Sequence, residues 1–479
     1  MRRAFILSMA AVIGAGASAR AAEADAIVPL TLKEAIRIAR AHHPTVESAR
    51  GQATAALGRQ QQALAQLLPF LDGEAGYHPT TPNLVVTPGE ARTVIANAGT
   101  VAVPDAAGNP VVVTCRNPGA GACQPAVTPP SVWTPVNFWT ASVALRWTAW
   151  DWGRSTYGYA GARDLAAGAD AGVRAAALDV SLQVAVAFYG VLASDEQVAV
   201  AADAVKTYQA HLAQTRGLHD QGLRTGIDVA TAESALAQGG IALARAEAAA
   251  ATARAQLQVA LGEGRWGGWR LVPEPGSFEL DDADERDAAA PAGALIERAE
   301  AQRPDLQQLR LEVRGFSNNR AATRGAYLPA LTLSAMPAWA GEHLSSLTPN
   351  LTFGVSLAFP SGGMSPLGVH GQTREAEGNL LATRAQERAG IDSIRAESVA
   401  ARANLVAARD EIRQARIMVE AAARQRGLAS GRYQTGVGNV IELYDALYTD
   451  VNARSQLVQA RLDLATARAR LRHALGEPP

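Results

Sequence analysis

The stretch that decides the fold runs from Arg432 to Glu477 and reads RYQTGVGNVIELYDALYTDVNARSQLVQARLDLATARARLRHALGE. It opens on a glycine-bearing turn and continues as one long helical pattern to a Leu-Gly stop. A second copy lies at Leu218 to Glu263. Gly222 falls on Gly436 (436 − 222 = 214), Asp228 on Glu442, and Leu261-Gly262-Glu263 on Leu475-Gly476-Glu477 at the same offset. A register kept without a gap over about forty residues marks a duplicated unit.

The start of each half repeats as well. Pro44 and Pro69 recur as Pro304 and Pro329 (304 − 44 = 260 and 329 − 69 = 260), with Ile36 and Ala39 falling on Ile296 and Ala299. Thr31 followed by Glu34 is a capping-box pattern, and Leu32, Ala35, Ile36 and Ala39 form one helical stripe. Pro44 is expected to end that helix or to start the next. The expected division is a signal peptide at 1–22, a first repeat at 30–263, a linker at 264–291 and a second repeat at 292–477.

Inside each repeat the period changes from helix to strand. Along Asn137 to Trp150, Trp139, Ala141, Val143, Leu145 and Trp147 take one face, and Thr140, Ser142, Ala144, Arg146 and Thr148 the other. Leu351, Phe353, Val355, Leu357 and Phe359 alternate with Thr352, Gly354, Ser356 and Ala358, and the same alternation marks 70–78 and 328–340. Four strands of about ten residues, two per repeat, have the length and alternation of transmembrane β-strands. Alternation alone is equally compatible with the edge of a soluble sandwich. Pro79 to Pro135 reads as a long exposed loop that carries both cysteines of the chain, Cys115 and Cys123. In an exported protein a local disulfide between them is favoured over free thiols.

Each strand pair is followed by a very long Ala-rich helical pattern, near 154–219 and near 372–432. A helix of about 60–65 residues is a rod of roughly 90–100 Å, and its apolar stripes need neighbouring helices. Return helices near 227–261 and 440–475 are expected to pair back as antiparallel hairpins. The proline-bearing segment 264–293, with its acidic run Asp281 to Asp287, reads as a solvated linker wrapped round the middle of the rod.

Composition narrows the class. A net charge of −1 with 19% charged residues gives no electrostatic case for a nucleic-acid partner. Arg2, Arg3, the apolar run Ala4 to Ala17 and the small residues beyond it have the pattern of a secretory signal. No later stretch is expected to be apolar enough for a membrane helix, so a membrane crossing would need a closed β-barrel. Four strands cannot close a barrel alone, whereas three chains supply twelve.

The residues LTLKEAIRIARAHHP (30–44), the Leu-Pro pairs at 68–69 and 328–329, WDWGR (150–154) and RYQTGVGNVIELYDA (432–446) resemble the TolC-like outer-membrane efflux proteins. The resemblance covers about 30–477, in order and twice over. It implies an α+β membrane protein of Gram-negative bacteria, with a periplasmic extension. Three chains would share a 12-stranded outer-membrane barrel and an α-helical barrel tunnel. They would form the exit duct of a tripartite pump or type I secretion system, working with a periplasmic adaptor and an inner-membrane pump. The alternative is a periplasmic coiled-coil adaptor or scaffold, though adaptors show one hairpin where this chain repeats it.

By position, the turns at Gly222 to Asp228 and Gly436 to Glu442 resemble the periplasmic tips where such a tunnel narrows. Asp228, Glu442 and Asp445 stand where the family often places carboxylates at the constriction. Read from the residues alone, they are equally N-terminal helix caps. Tyr433 occupies the place of an aromatic that helps hold the tip shut, with Gly222, Gly436 and Gly438 shaping the turns. Gly438 and Asn439 stand where some members carry a basic partner, a departure that leaves open whether a salt bridge latches the tip.

No metal or cofactor site is expected. His42-His43 reads as a surface helix end, and His211 and His219 lack a completing carboxylate or Cys. No nucleophile elbow, phosphate-cradling loop or zinc-binding His-Glu-x-x-His occurs, which argues against an enzyme.

Overall fold

The computed structural model describes residues 28–79, 100–104, 110–114, 137–262, 264, 269–273, 276, 278, 282–341, 343–359 and 366–479. In chain order the elements begin β1 (Val28–Leu30), α1 (Leu32–His42), α2 (Pro44–Ala65), β2 (Phe70–Tyr77), β3 (Thr100–Pro104), β4 (Pro110–Thr114), β5 (Trp139–Trp150), α3 (Arg154–Asp220) and α4 (Gly226–Leu261). They continue with β6 (Trp269–Leu271), α5 (Asp282–Ala289), α6 (Ala292–Gln302), α7 (Pro304–Gly325), β7 (Ala330–Gly341), β8 (Thr348–Ala358), α8 (Pro366–Gln434) and α9 (Val440–Ala474). The signal segment, Cys115 and Cys123 lie outside the described residues.

Two compact units result, and each draws on both sequence halves. Among the described residues, one holds those up to Gly58 with those of 163–316 and 379–479; the other holds those of 59–162 and 317–378.

The first unit is helical. Thr31 caps α1, its hydroxyl accepting from the Glu34 N–H at 3.4 Å, and the chain passes into α2 at Pro44, where a missing N–H costs nothing. Val180, Val184, Ala185 and Phe188 of α3 meet Ile36 and Ala39 of α1, Leu257 of α4, and Ala465 and Ala469 of α9 in one core. Each large member stabilises the fold by about 2 kcal/mol when fully buried. A second core joins Leu306 of α7, Leu405 and Ala408 of α8, and Leu464 and Leu471 of α9.

The repeats dock alike at their helix ends. Gly262 lies against the α1–α2 joint, where an added Cβ would stand 2.6 Å from His43 Cα. Its counterpart Gly476 lies against the α6–α7 joint, 3.0 Å from the Gln302 carbonyl carbon.

Three expectations are corrected in this unit. The acidic run is not simply solvated: α5 carries Asp284, 4% exposed, whose carboxylate pairs with Arg468 at 2.6 Å, and Ala288 of α5 enters the second core. The linker also supplies β6, which pairs in parallel with β1. Finally, α3 does contain a window long and apolar enough by composition to cross a membrane. About two-fifths of that window is buried, and Val180, Val184 and Phe188 of α3 pack in the first core.

The second unit is built on an antiparallel sheet in the order β2-β5-β7-β8. The two repeats meet at β5·β7, and β2 and β8 are its edges. Register assigns the faces, because cross-strand partners share a side. Leu71, Leu145, Ala335 and Phe353 line up across the four strands, as do Trp147, Leu333 and Val355. The opposite face carries Asp72, Glu74, Ser142, Arg146, Ser334, Thr332 and Ser356. The long loop is not wholly irregular: β3 and β4 form an antiparallel hairpin within it, each strand rich in valine.

Candidate functional site

The two hairpin turns of the helical unit are built alike. After α3 the Gly222 N–H donates to His219 O and the Leu223 N–H to Leu218 O. After α8 the Gly436 N–H donates to Tyr433 O and the Val437 N–H to Arg432 O. Both are Schellman closures with glycine left-handed, at φ 73 and 80. Gly438 is needed for a different reason. A Cβ there would stand 2.8 Å from Tyr433 N and 2.9 Å from Arg432 C, so the backbone passes too closely for any side chain.

Tyr433 is 1% exposed. Its hydroxyl lies 3.2 Å from the Thr215 hydroxyl of α3. The Arg224 guanidinium lies 4.2 Å from the centre of its ring and donates to its backbone carbonyl at 3.0 Å. The first turn thus grips the second by a cation–π contact and a charge-assisted hydrogen bond. Arg224 went unnoticed in the sequence, yet the repeat points to it. At the offset of 214 it is the counterpart of Gly438, so the basic residue missing from the second turn stands in the first.

The three acidic candidates have different surroundings. Asp228 accepts from the Thr225 N–H at 3.3 Å, closing the N-terminus of α4. Glu442 pairs with Arg432 at 3.3 Å across the second turn, while the Asn439 side chain caps α9 by accepting from the Ile441 N–H. Asp445, one turn further, is exposed and makes no side-chain hydrogen bond or ion pair among the described residues. The helix-cap reading therefore fits Asp228 best and Asp445 least.

Behind the turns a charged cluster ties three helices. Asp450 of α9, 2% exposed, pairs with Arg426 of α8 at 3.0 Å and with Arg454 at 3.2 Å, and Arg454 reaches Asp203 of α3 at 2.8 Å. These residues and Thr207 line a cavity of about 10 Å³, and Asp450 Oδ1 has no protein partner. The rings of Tyr208, which also lines the cavity, and Tyr444 lie 6.2 Å apart, tilted by 36°, and burial pushes the Tyr444 phenol up to about 12. His211 is pushed below its ordinary value, chiefly by burial. Among the described residues, no group of His, Cys, Asp and Glu has the arrangement of a metal site.

A sequence model described as outer membrane efflux protein matches residues 134–263 and 295–477. The chain belongs to the outer membrane efflux protein family. Membership places it among the TolC-like outer-membrane channels of efflux systems in Gram-negative bacteria. Solved structures agree on the fold. A membrane protein from Pseudomonas aeruginosa superposes with TM-score 0.74 at 17% identity, over 93% of this chain and 92% of that one. The outer membrane protein VceC from Vibrio cholerae gives 0.71 at 18%, over 93% and 96%. The open state of the Neisseria gonorrhoeae MtrE outer membrane channel gives 0.71 at 16%, over 93% and 89%. No curated protein sequence matches the chain.

Proposed function

We propose that this efflux-family protein works as a homotrimeric exit duct, moving substrate that an inner-membrane pump delivers through a periplasmic adaptor. The open sheet carries this reading. Four strands leave β2 and β8 as edges with unpaired backbone groups, and lipid has no water to satisfy them. Phe353, Val355 and Leu357 are more than two-thirds exposed on the apolar face, an arrangement suited to lipid, while the Asp72 and Ser142 face suits a water-filled lumen. Three copies close twelve strands without an edge. The same operator places the long hairpins of both repeats, 30–263 and 292–477, around one axis.

The paired turns form the periplasmic aperture in this scheme, closed by the Arg224–Tyr433 contact. Asp445 contributes a ring of three carboxylates that favours cations; Asp228 and Glu442 act mainly on the helix ends beneath it. Four strands of barrel type and a duplicated hairpin speak against an adaptor. Planar-bilayer conductance tests the reading. The protein should insert as a cation-preferring pore, and Asp445→Ala should lower the cation preference while leaving conductance intact. Unchanged selectivity removes Asp445 from the lumen, and absence of any conductance overturns the duct.

A further inference from the structure

Between β5 and α3 the backbone turns through two left-handed residues. Trp152 stands at φ 58, the one non-glycine residue so placed among the described residues, and Gly153 follows at 82. A bulky side chain is disfavoured in that region. The Trp152 indole N–H donates to the Pro329 carbonyl at 3.1 Å, which fixes the ring, and the ring meets Trp150 edge-on at 6.0 Å. Both indoles remain about half exposed, at 49% and 59%. The strained turn therefore holds two large aromatics outward, where packing within the chain gives them no cover.

Register shows what surrounds them. Trp150 pairs with Leu331 and Leu331 with Leu357, so Trp150 belongs to the apolar face of the sheet. The far end of that face carries Trp139, whose ring centre lies 4.6 Å from that of Tyr77. From Trp139 to Trp150 there are eleven steps along β5 (150 − 139 = 11). At about 3.3 Å per residue and a tilt of about 40° they rise about 28 Å, close to the roughly 25 Å apolar band of an outer-membrane barrel. The two aromatic ends thus match the two membrane interfaces, and the Trp150 end, from which α3 leaves, is the periplasmic one.

Just beyond these indoles lies positive charge with little to neutralise it. Arg154 opens α3, is exposed, and makes no side-chain hydrogen bond or ion pair among the described residues. Asp151 is committed to the helix cap, its Oδ2 accepting from the Ser155 N–H at 2.8 Å and from the Ser155 hydroxyl. The end of α7 presses on this turn, for a Cβ on Gly325 would stand 3.1 Å from Arg154 Cβ. Arg324, next to that glycine, has a side chain 59% exposed and reaches Glu377 only at 3.9 Å, while Glu377 Oε1 accepts from Arg320 at 3.0 and 3.1 Å.

We propose that Arg154 and Arg324, beside the rings of Trp150 and Trp152, bind the phosphate of an anionic glycerophospholipid in the inner leaflet of the outer membrane. The guanidiniums supply paired donors for the oxygens of a phosphate diester. The indoles lie at headgroup level against the start of the acyl chains. A zwitterionic headgroup would bring its own ammonium against the two arginines, so the net negative lipid is favoured. The site is contained in one chain and does not depend on three copies; it rests on the apolar face of the sheet being turned to lipid.

Native mass spectrometry of the protein in a non-ionic detergent, titrated with phosphatidylglycerol or with phosphatidylcholine, counts the lipid retained per chain. Each guanidinium at a headgroup favours the anionic lipid about fivefold, so phosphatidylglycerol should bind at least tenfold more tightly, and high salt should shrink the difference. Arg154→Gln with Arg324→Gln should abolish the preference. Arg146→Gln, which removes a charge from the opposite face of the same sheet, should leave it intact. Equal affinity of the parent protein for the two lipids overturns the site even where the double variant fails to fold, and so does a preference that survives in the double variant. Retention of neither lipid overturns the lipid-facing sheet as well. Inorganic phosphate that displaces phosphatidylglycerol better than sodium chloride of equal ionic strength would assign the arginines to a soluble anion and overturn the lipid site.

Discussion

Replacing His473 tests how the helical unit is tied together. This side chain of α9 lies 2.7 Å from Asp179 of α3 through Nε2 and 3.1 Å from Glu397 of α8 through Nδ1. Only an imidazolium carries a proton on both nitrogens, so it alone can donate to both acids. Arg303 closes the far side, meeting Glu397 at 2.5 Å and Asp305 at 2.8 Å. Burial is the largest single influence on His473 and pushes it down. Hydrogen bonds and charge from Asp179 and Glu397 together outweigh it and bring the pKa up to about 9. The hydrogen bond from His473, with the Arg303 charge, holds Glu397 below its ordinary range against the cost of burial.

A raised histidine contributes stability that is complete below its unfolded pKa and lost as pH climbs through the folded one. The shift from 6.5 to about 9 corresponds to about 3 kcal/mol at acid pH, falling to about 1.5 kcal/mol at about pH 8 and to under about 0.5 kcal/mol at about pH 9. Glu397 sets the other limb, since its contribution disappears only as pH falls through its lowered pKa. Denaturant unfolding of the detergent-solubilised protein, followed by far-ultraviolet circular dichroism, reads the effect. His473→Gln should be most destabilising near pH 6 and should converge on the parent protein near pH 9. A deficit that does not change with pH refutes the doubly donating imidazolium.

Other outcomes follow from the turns and the charged cluster. Gly436→Asn should cost less than about 1 kcal/mol in thermal unfolding, because asparagine tolerates the left-handed region and an added Cβ would meet nothing within 4 Å. Gly438→Asn should cost about 1–3 kcal/mol, because its Cβ would press on the backbone of Arg432 and Tyr433; equal Tm values for the two variants would contradict this distinction. Asp450→Ala should cost about 2–3 kcal/mol, a buried-pair loss reduced because Arg426 and Arg454 are each about one-third exposed. A Tm within a degree or so of the parent would show that the three-helix cluster contributes little.

The sequence was most legible where order is periodic. The return helices expected at 227–261 and 440–475 are Gly226–Leu261 and Val440–Ala474, and the four alternating segments are the four strands of the sheet. Period 3.6, period 2 and a fixed repeat offset are local signals that survive in a single chain. What escaped is carried by side chains far apart in sequence. Nothing near Arg224 or Thr215 announces Tyr433, and nothing near His473 announces Asp179, 294 residues away. The acidic run misled because composition cannot tell a solvated aspartate from Asp284, which is held against Arg468. The apolar window of α3 misled in the opposite sense, since a helix covered by three others has the composition of one covered by lipid. Of the two hairpin turns, the glycines and caps were readable from turn chemistry. The grip of Arg224 on Tyr433 needed the fold.

The central claim is that one chain is only a third of a barrel. Membrane fractions separated by density, with the outer-membrane pool run on a denaturing gel both unheated and boiled, test it most directly. A heat-sensitive species in the outer membrane with about three times the mass of the boiled band is the result this account predicts. A single-chain species recovered from the soluble periplasm, the same with and without heating, would contradict it.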